Sequence, residues 1–333
     1  MSARLETVTV RPEDGAGRLD RWFKRHYPGL THGRLEKLLR TGQIRVDGKR
    51  AHARDPVEPG QAIRVPPLPE APAPSPGAGK SKTPRARPQD VALLRDAVLY
   101  RDDWAIVVNK PAGLAVQGGT NTERHVDALL DGLRFDSAER PRLVHRLDKD
   151  TSGVLLIARN AAAAAFFTRA FRDKTTRKIY WAIVVGLPQL RQGRIDLALS
   201  KSAGMRGGER VHADEEGKSA VTYYTIVDQA GTRASWLALL PVTGRTHQLR
   251  AHCAEIGTPI LGDGKYGGSG AQLAGGAAAR QLHLHARSLA IPHPQGGTLS
   301  VTAPLPAHMR RMWEFFGFAS DAGDPFAELE LPA

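Results

Sequence analysis

Residues 142–160 read RLVHRLDKDTSGVLLIARN. Its second half, residues 154–158, is an apolar strand of aliphatic side chains, and its first half is a loop dense in charge and in small residues. A purely connecting loop rarely needs cations and carboxylates together at the mouth of a buried strand. On residue chemistry alone, Arg146, Asp148, Lys149 and Asp150 are either solvated turn residues or a functional site carried by a loop on a rigid scaffold.

Outward from this stretch, strands are expected at residues 105–108, 179–185, 221–227 and 235–240, with helices at 126–133, 161–171, 246–256 and 306–316. Strands outnumber helices and often follow one another directly. That pattern favours an α+β domain with a large mixed or antiparallel sheet over a doubly wound parallel one. The domain is expected to span residues 91–318, and the acidic stretch 319–333 to be a loosely held tail.

A smaller unit is expected over residues 1–66. Leu5, Val8 and Val10 suggest a strand, and Leu19, Trp22 and Phe23 fall at helical spacing. Thr31 can cap a helix whose inner face is Leu35, Leu38 and Leu39, and Gly42 suits its left-handed exit. Ile44, Val46 and the Asp47-Gly48 turn read as a hairpin. Arg34, Lys37 and Arg40 are left on the outer surface. Residues 67–90 are rich in proline, carry Lys80, Lys82, Arg85 and Arg87, and read as an extended basic linker.

The 333 residues carry 47 Lys+Arg against 34 Asp+Glu, a net charge of +13, with 41% hydrophobic content. The apolar fraction supports a real core, and the charge makes nucleic acid the first partner to consider. Cys253 is the only cysteine, which excludes an internal disulfide and points to a reducing compartment, so a cytoplasmic protein is expected. No apolar run approaches the roughly 18 residues of a membrane span. A monomer is expected because nothing in the chain suggests an exposed apolar interface.

Two phosphate-loop lookalikes fail on context. Gly79-Lys80-Ser81 follows a proline-rich segment where a buried strand would be required, and Gly262-Asp263-Gly264-Lys265-Tyr266-Gly267 leads into more glycine without a ribose-binding acid downstream. The histidine pairs 283/285 and 247/252 lack metal-site spacing. Neither a nucleotide, nor a metal, nor any other cofactor is expected.

Residues 145–153, HRLDKDTSG, look like the HRLDxxTSG signature of the RluA-type pseudouridine synthases. In chain order, Asn109-Lys110-Pro111-Ala112-Gly113 resembles the family's NKPxG turn, residues 178–182 its KxYxA strand, residues 244–252 its GRTHQLRxH segment, and residues 284–294 its closing strand. Residues 17–66 resemble the S4 RNA-binding domain, with Thr31-His32 in place of its usual Ser-Arg. Residues 113–119, 208–211 and 216–218 look most like the RluC branch, which acts on large-subunit (23S) ribosomal RNA.

The resemblance implies an RNA-modifying isomerase that converts uridine to pseudouridine without a cofactor, on precursor or free 23S ribosomal RNA. It implies that Asp148 is the essential catalyst, as nucleophile or as base, and that Arg245 is the cation keeping it ionised. Arg146 is implied in the space vacated by the flipped base and Tyr180 in stacking on it. In the S4-like unit, Arg18, Arg34, Lys37, Lys49 and Arg50 are suited to phosphate contacts. Two rivals would explain parts of the chain: an assembly factor that has lost activity, and a nucleosidase using Asp148 with Asp150. The intact Asp148, Tyr180 and Arg245 weigh against the first, the basic charge and the S4-like unit against the second.

Overall fold

A computed structural model of the chain describes residues 6–68, 87–119, 122, 124–203, 209–273 and 281–329. The chain divides into two compact units, residues 1–82 and 83–333. Most of the proline-rich stretch, with Lys80, Lys82 and Arg85, lies outside the described residues.

In the first unit, strands Glu6–Thr9, Ala62–Val65, Arg45–Val46 and Lys49–Arg50 pair in that order in one antiparallel sheet. Helices Leu19–His26 and His32–Arg40 bury Leu19, Trp22, Phe23, Leu35, Leu38 and Leu39 with Ile44 and Ile63. The hairpin turn has positive φ at both Asp47 (48°) and Gly48 (75°), the conformation for which an Asp-Gly pair is suited. Gly42 leaves the second helix at φ 69° as expected. Thr31 precedes that helix in extended geometry, but its hydroxyl makes no capping bond. Asp14 ties the first helix down instead, accepting from Trp22 Nε1 at 3.2 Å and pairing with His26 Nε2 at 2.8 Å.

The second unit is built on an 11-stranded sheet. The strand Ser152–Ala158, which leads out of the HRLDKDTSG loop, is antiparallel to Ala105–Lys110 on one side and parallel to Leu284–Pro292 on the other. Beyond Leu284–Pro292 follow Arg177–Val185, Ala234–Pro241, Lys218–Ala230, Gln192–Ala203 and Glu209–Ala213, each antiparallel to the last. The mixed, mainly antiparallel sheet of an α+β domain is the expected architecture. It buries both faces: Val154 and Leu156 pack with Phe167 of helix Ala161–Arg172, while Leu155 and Ile157 pack with Leu129, Leu130 and Leu133. Gly153, at φ 111°, is where strand Ser152–Ala158 passes so close to its parallel neighbour that a Cβ would sit 2.2 Å from the Ala286 carbonyl oxygen. Only glycine fits there.

Three local expectations are corrected. Residues 88–90, read as linker, open the helix Pro88–Asp96, where proline at the first turn costs no hydrogen bond and Leu94 is fully buried. The acidic stretch after residue 318 is held where it is described: Phe326 joins the core of Trp181, Trp236 and Trp313, and Arg177 Nε donates to Asp324 Oδ2 at 2.9 Å. The helix expected from residue 246 begins at Gln248, because His247 takes the left-handed conformation, φ 51°.

Candidate active site

Asp148 sits on the loop between strands Arg142–Leu143 and Ser152–Ala158. The loop is turned by a bond from Thr151 N to the Asp148 carbonyl at 3.2 Å. Its anchor is Lys110, a fully buried lysine at the end of Ala105–Lys110. Lys110 Nζ donates to the carbonyls of Pro111 at 2.9 Å, Leu114 at 2.8 Å and Lys149 at 3.1 Å, and Gly113 N donates to Lys149 O at 2.9 Å. The NKPAG turn and the HRLDKD loop are thereby stapled together by one ammonium group, whose three protons meet three acceptors. Burial pulls Lys110 down to about 7, against the opposing charges of Asp150 and Asp148. At the strand end of the loop, Ser152 Oγ bonds His285 Nδ1 at 2.8 Å.

A cavity of about 520 Å³ opens on Asp148. Tyr180, Leu249 and Leu284 line its apolar part, and Arg146, Lys178 and Arg245 bring cations to it. All four residues singled out for the chemistry, Asp148, Tyr180, Arg146 and Arg245, therefore line one cavity although they lie up to a hundred positions apart in the chain. Burial, with the charge of Asp148 added, raises the Tyr180 phenol well above its ordinary range, so it stays protonated at neutral pH. His145 lies in the same wall, stacked on Phe171 at 4.5 Å between ring centroids, and its Nε2 accepts from Leu156 N at 2.8 Å. Burial and the nearby Lys178 hold it down to about 3, so it is neutral, with its remaining proton on Nδ1.

The cation expected to hold Asp148 ionised is placed differently from the expectation. Arg245 is exposed, its Nε donates to the Ser219 carbonyl at 3.1 Å, and it makes no ion pair among the described residues. The buried cations that feel the charge of Asp148 are Lys110 and Arg250. Arg250 is fixed by Asp263 through a two-point pair, Nε to Oδ2 at 2.8 Å and Nη2 to Oδ1 at 2.7 Å. Desolvation works against its charge, and the bonds and charge of Asp263, then Asp148, more than restore it. Asp263 also accepts from the backbone of Lys265 and Tyr266, each at 3.1 Å. The glycine-rich segment 262–267 is thus the turn that presents this clamp, which is why it imitates a phosphate loop without its helix. His247 Nδ1 bonds Tyr266 Oη at 2.9 Å, tying the start of helix Gln248–Glu255 to this turn.

Arg250, Asp263 and Lys110 fall inside or beside segments already quoted for their motifs, yet spacing alone cannot distinguish a buried cation from an exposed one. Two further buried histidines, His252 and His283, are held by bonds within the fold. His252 bonds Thr222 Oγ1 at 3.0 Å and His283 bonds the Gln281 carbonyl at 2.9 Å.

Residues 104–255 match the family described as RNA pseudouridylate synthase. The ribosomal large subunit pseudouridine synthase C of Rickettsia bellii is 35% identical over 89% of this chain and 97% of its own. That of Salmonella typhi is 34% identical over 93% and 96%. The chain is an RluA-family pseudouridine synthase. The mitochondrial RNA pseudouridine synthase 4 of Arabidopsis thaliana is 33% identical to this synthase over 87% of it. Among solved structures, human RNA pseudouridylate synthase domain containing 4 superposes on the synthase with a TM-score of 0.56 at 28% identity, covering 69% of this chain and 97% of that one. The synthase is accordingly an RNA-modifying isomerase, and no helix among its described residues is long and apolar enough to cross a membrane.

Proposed function

We propose that this synthase isomerises specific uridines to pseudouridine in large-subunit (23S) ribosomal RNA, precursor or free, with Asp148 as the essential carboxylate. The observation that carries the reading is the cavity in which Asp148 and Tyr180 face one another among cations, in a chain whose relatives over nearly its full length are large-subunit synthases.

The reaction breaks the N1–C1′ bond of uridine, turns the uracil in place and forms a C5–C1′ bond. The proton on C5 leaves and N1 regains one, so atoms balance without a cofactor. Asp148 acts at the sugar, as nucleophile at C1′ or as base, and both roles need it ionised. Arg250, kept charged by Asp263, and Lys110 while it is protonated supply positive charge near it inside a site that bound RNA would desolvate. Tyr180 stacks on the flipped uracil, and its raised affinity for its proton suits it to packing against a neutral base. Arg146, exposed at the cavity rim, takes the space that the base leaves.

Residues 1–66 act as an S4-like RNA-binding unit, which Arg34, Lys37, Lys49 and Arg50 equip for phosphate contacts because none is engaged in an ion pair among the described residues. Arg18 fits this role less well, since Asp20 already holds its guanidinium, with Nε to Oδ1 at 3.1 Å. The synthase acts as a cytoplasmic monomer.

The test is single-turnover conversion of 23S ribosomal RNA fragments by wild type and Asp148→Asn. Wild type should form pseudouridine and release no free uracil, while the nearly isosteric variant binds RNA but converts none. Uracil release would favour a nucleosidase, and conversion by Asp148→Asn at the wild-type rate would remove Asp148 from the mechanism.

A further inference from the structure

Among the described residues, the cavity contains one partly buried cation for which the fold supplies no partner. Lys178 lies on strand Arg177–Val185 two residues before Tyr180, and both side chains line the cavity. Residues two apart on a strand share a face and stand about 7 Å apart. Lys178 is half-buried and, among the described residues, its side chain has no hydrogen bond and no ion pair.

The other cations of the cavity differ from it. Arg172 is paired with Asp173, Arg245 donates to the Ser219 carbonyl, and Arg146 and Lys174 are exposed to water. Asp148, the one carboxylate among the lining residues, makes no ion pair with Lys178 and does not offset its burial, and the other groups around it carry no negative charge: His145 is neutral, Phe171 is apolar and Tyr180 keeps its proton. Burial accordingly lowers the ammonium to about 8. A partly desolvated cation without a counter-charge is a cost that the fold does not recover from its own groups. An anion entering the cavity would remove that cost.

We propose that Lys178 binds a backbone phosphate flanking the target uridine, so that Tyr180 and Lys178 hold one flipped nucleotide by its base and by its phosphate. The inference rests on the RNA reading above and adds a residue and a ligand atom to it. The spacing of about 7 Å along the strand is comparable with the reach from a base to its own phosphate. A nucleotide anchored at both ends cannot swing back into the stack when the glycosidic bond opens, which is when the base has to be retained.

The experiment pairs Lys178→Met and Lys178→Arg with RNA fragments carrying a neutral methylphosphonate in place of the 5′ or the 3′ phosphate of a uridine that wild type converts. For unmodified RNA, Lys178→Met should raise KM by about tenfold, change the single-turnover rate at saturation much less, and lower the salt slope by about one. Lys178→Arg should recover most of the affinity. At one of the two linkages the methylphosphonate should weaken wild type by as much as the Met substitution does, and weaken Lys178→Met no further. Thermal melting of both variants separates this from misfolding, since the methylphosphonate arm on wild type needs no substitution. Equal methylphosphonate losses in wild type and Lys178→Met at both linkages would overturn the assignment while leaving the pseudouridine reading intact. Failure of wild type to convert any unmodified fragment would overturn both.

Discussion

Lys110 and Arg250 give the site its internal charge, and each does so while bonded to groups that hold it still. For Lys110→Met, the carbonyls of Pro111, Leu114 and Lys149 lose the ammonium donor, the last keeping Gly113 N, which should cost roughly 3 kcal/mol of stability, readable as a lowered urea midpoint. The pH dependence has a definite sign. Lys110 titrates near 7 in the folded chain and near its ordinary 10.5 when unfolded, so between these values the unfolded state binds more protons. Wild-type stability from this group should therefore rise as pH increases from 7 to 10, and the rise should be missing in Lys110→Met. A difference between the two proteins that stays constant with pH would show that the lysine does not titrate there.

The same residue scale separates two arginines. Arg250→Lys keeps a charge but loses the planar fork that Asp263 grips, and should lower single-turnover conversion at least tenfold. Arg245→Lys loses one bond to an exposed carbonyl and should act mainly through RNA affinity, raising KM more than it lowers the saturated rate. The reverse ranking in the saturated rate would return the ionising role to Arg245, as its motif position had implied.

Among the elements, the first unit can be tested through its outer face. Arg34 and Lys37 both lie on helix His32–Arg40 away from Leu35, Leu38 and Leu39. Reversing both to glutamate should weaken RNA binding and reduce the slope of log affinity against log salt by about two, with unchanged melting, because neither is part of the core. An unaltered slope would leave this helix without an RNA contact. The element scale is also where sequence reading is most uneven. Strands carrying uninterrupted apolar runs, such as Ser152–Ala158 and Ala234–Pro241, are legible because burial on both faces leaves no room for polar residues. Gln192–Ala203 and Glu209–Ala213 are not, since their partly exposed faces interleave charge with the apolar alternation of Ile195, Leu197 and Leu199. That alternation is the signal that could have found the first of them. For the site, motif order identifies Asp148, Tyr180, Arg146 and Arg245 as one cavity. It includes Lys178 in the KxYxA strand without giving it a role and gives none to Asp263, because the importance of both depends on what surrounds them after folding.

At the scale of the molecule, the C-terminal segment is part of the body of the second unit. Phe318 and Phe326 close the aromatic cluster of Trp181, Trp236 and Trp313, which lies under the strand that carries Tyr180. Truncation after residue 317 removes two buried phenylalanines and should lower the melting temperature by several degrees, with a loss of about 3 kcal/mol or more. A truncated chain that melts like the full one would mean that the segment merely rests on the surface.

The parallel pairing of Ser152 and Gly153 with His285 and Ala286 joins chain positions separated by 133 residues. During synthesis the loop bearing Asp148 leaves the ribosome long before the strand that must lie beside it. Until Leu284–Pro292 has emerged, strand Ser152–Ala158 has one bare edge, Ser152 lacks its histidine, and the cavity wall at Leu284 does not exist. A polypeptide cut short by premature termination anywhere in that interval carries every residue of the HRLDKDTSG loop and still has no assembled site. Activity is therefore expected only of nearly finished chains.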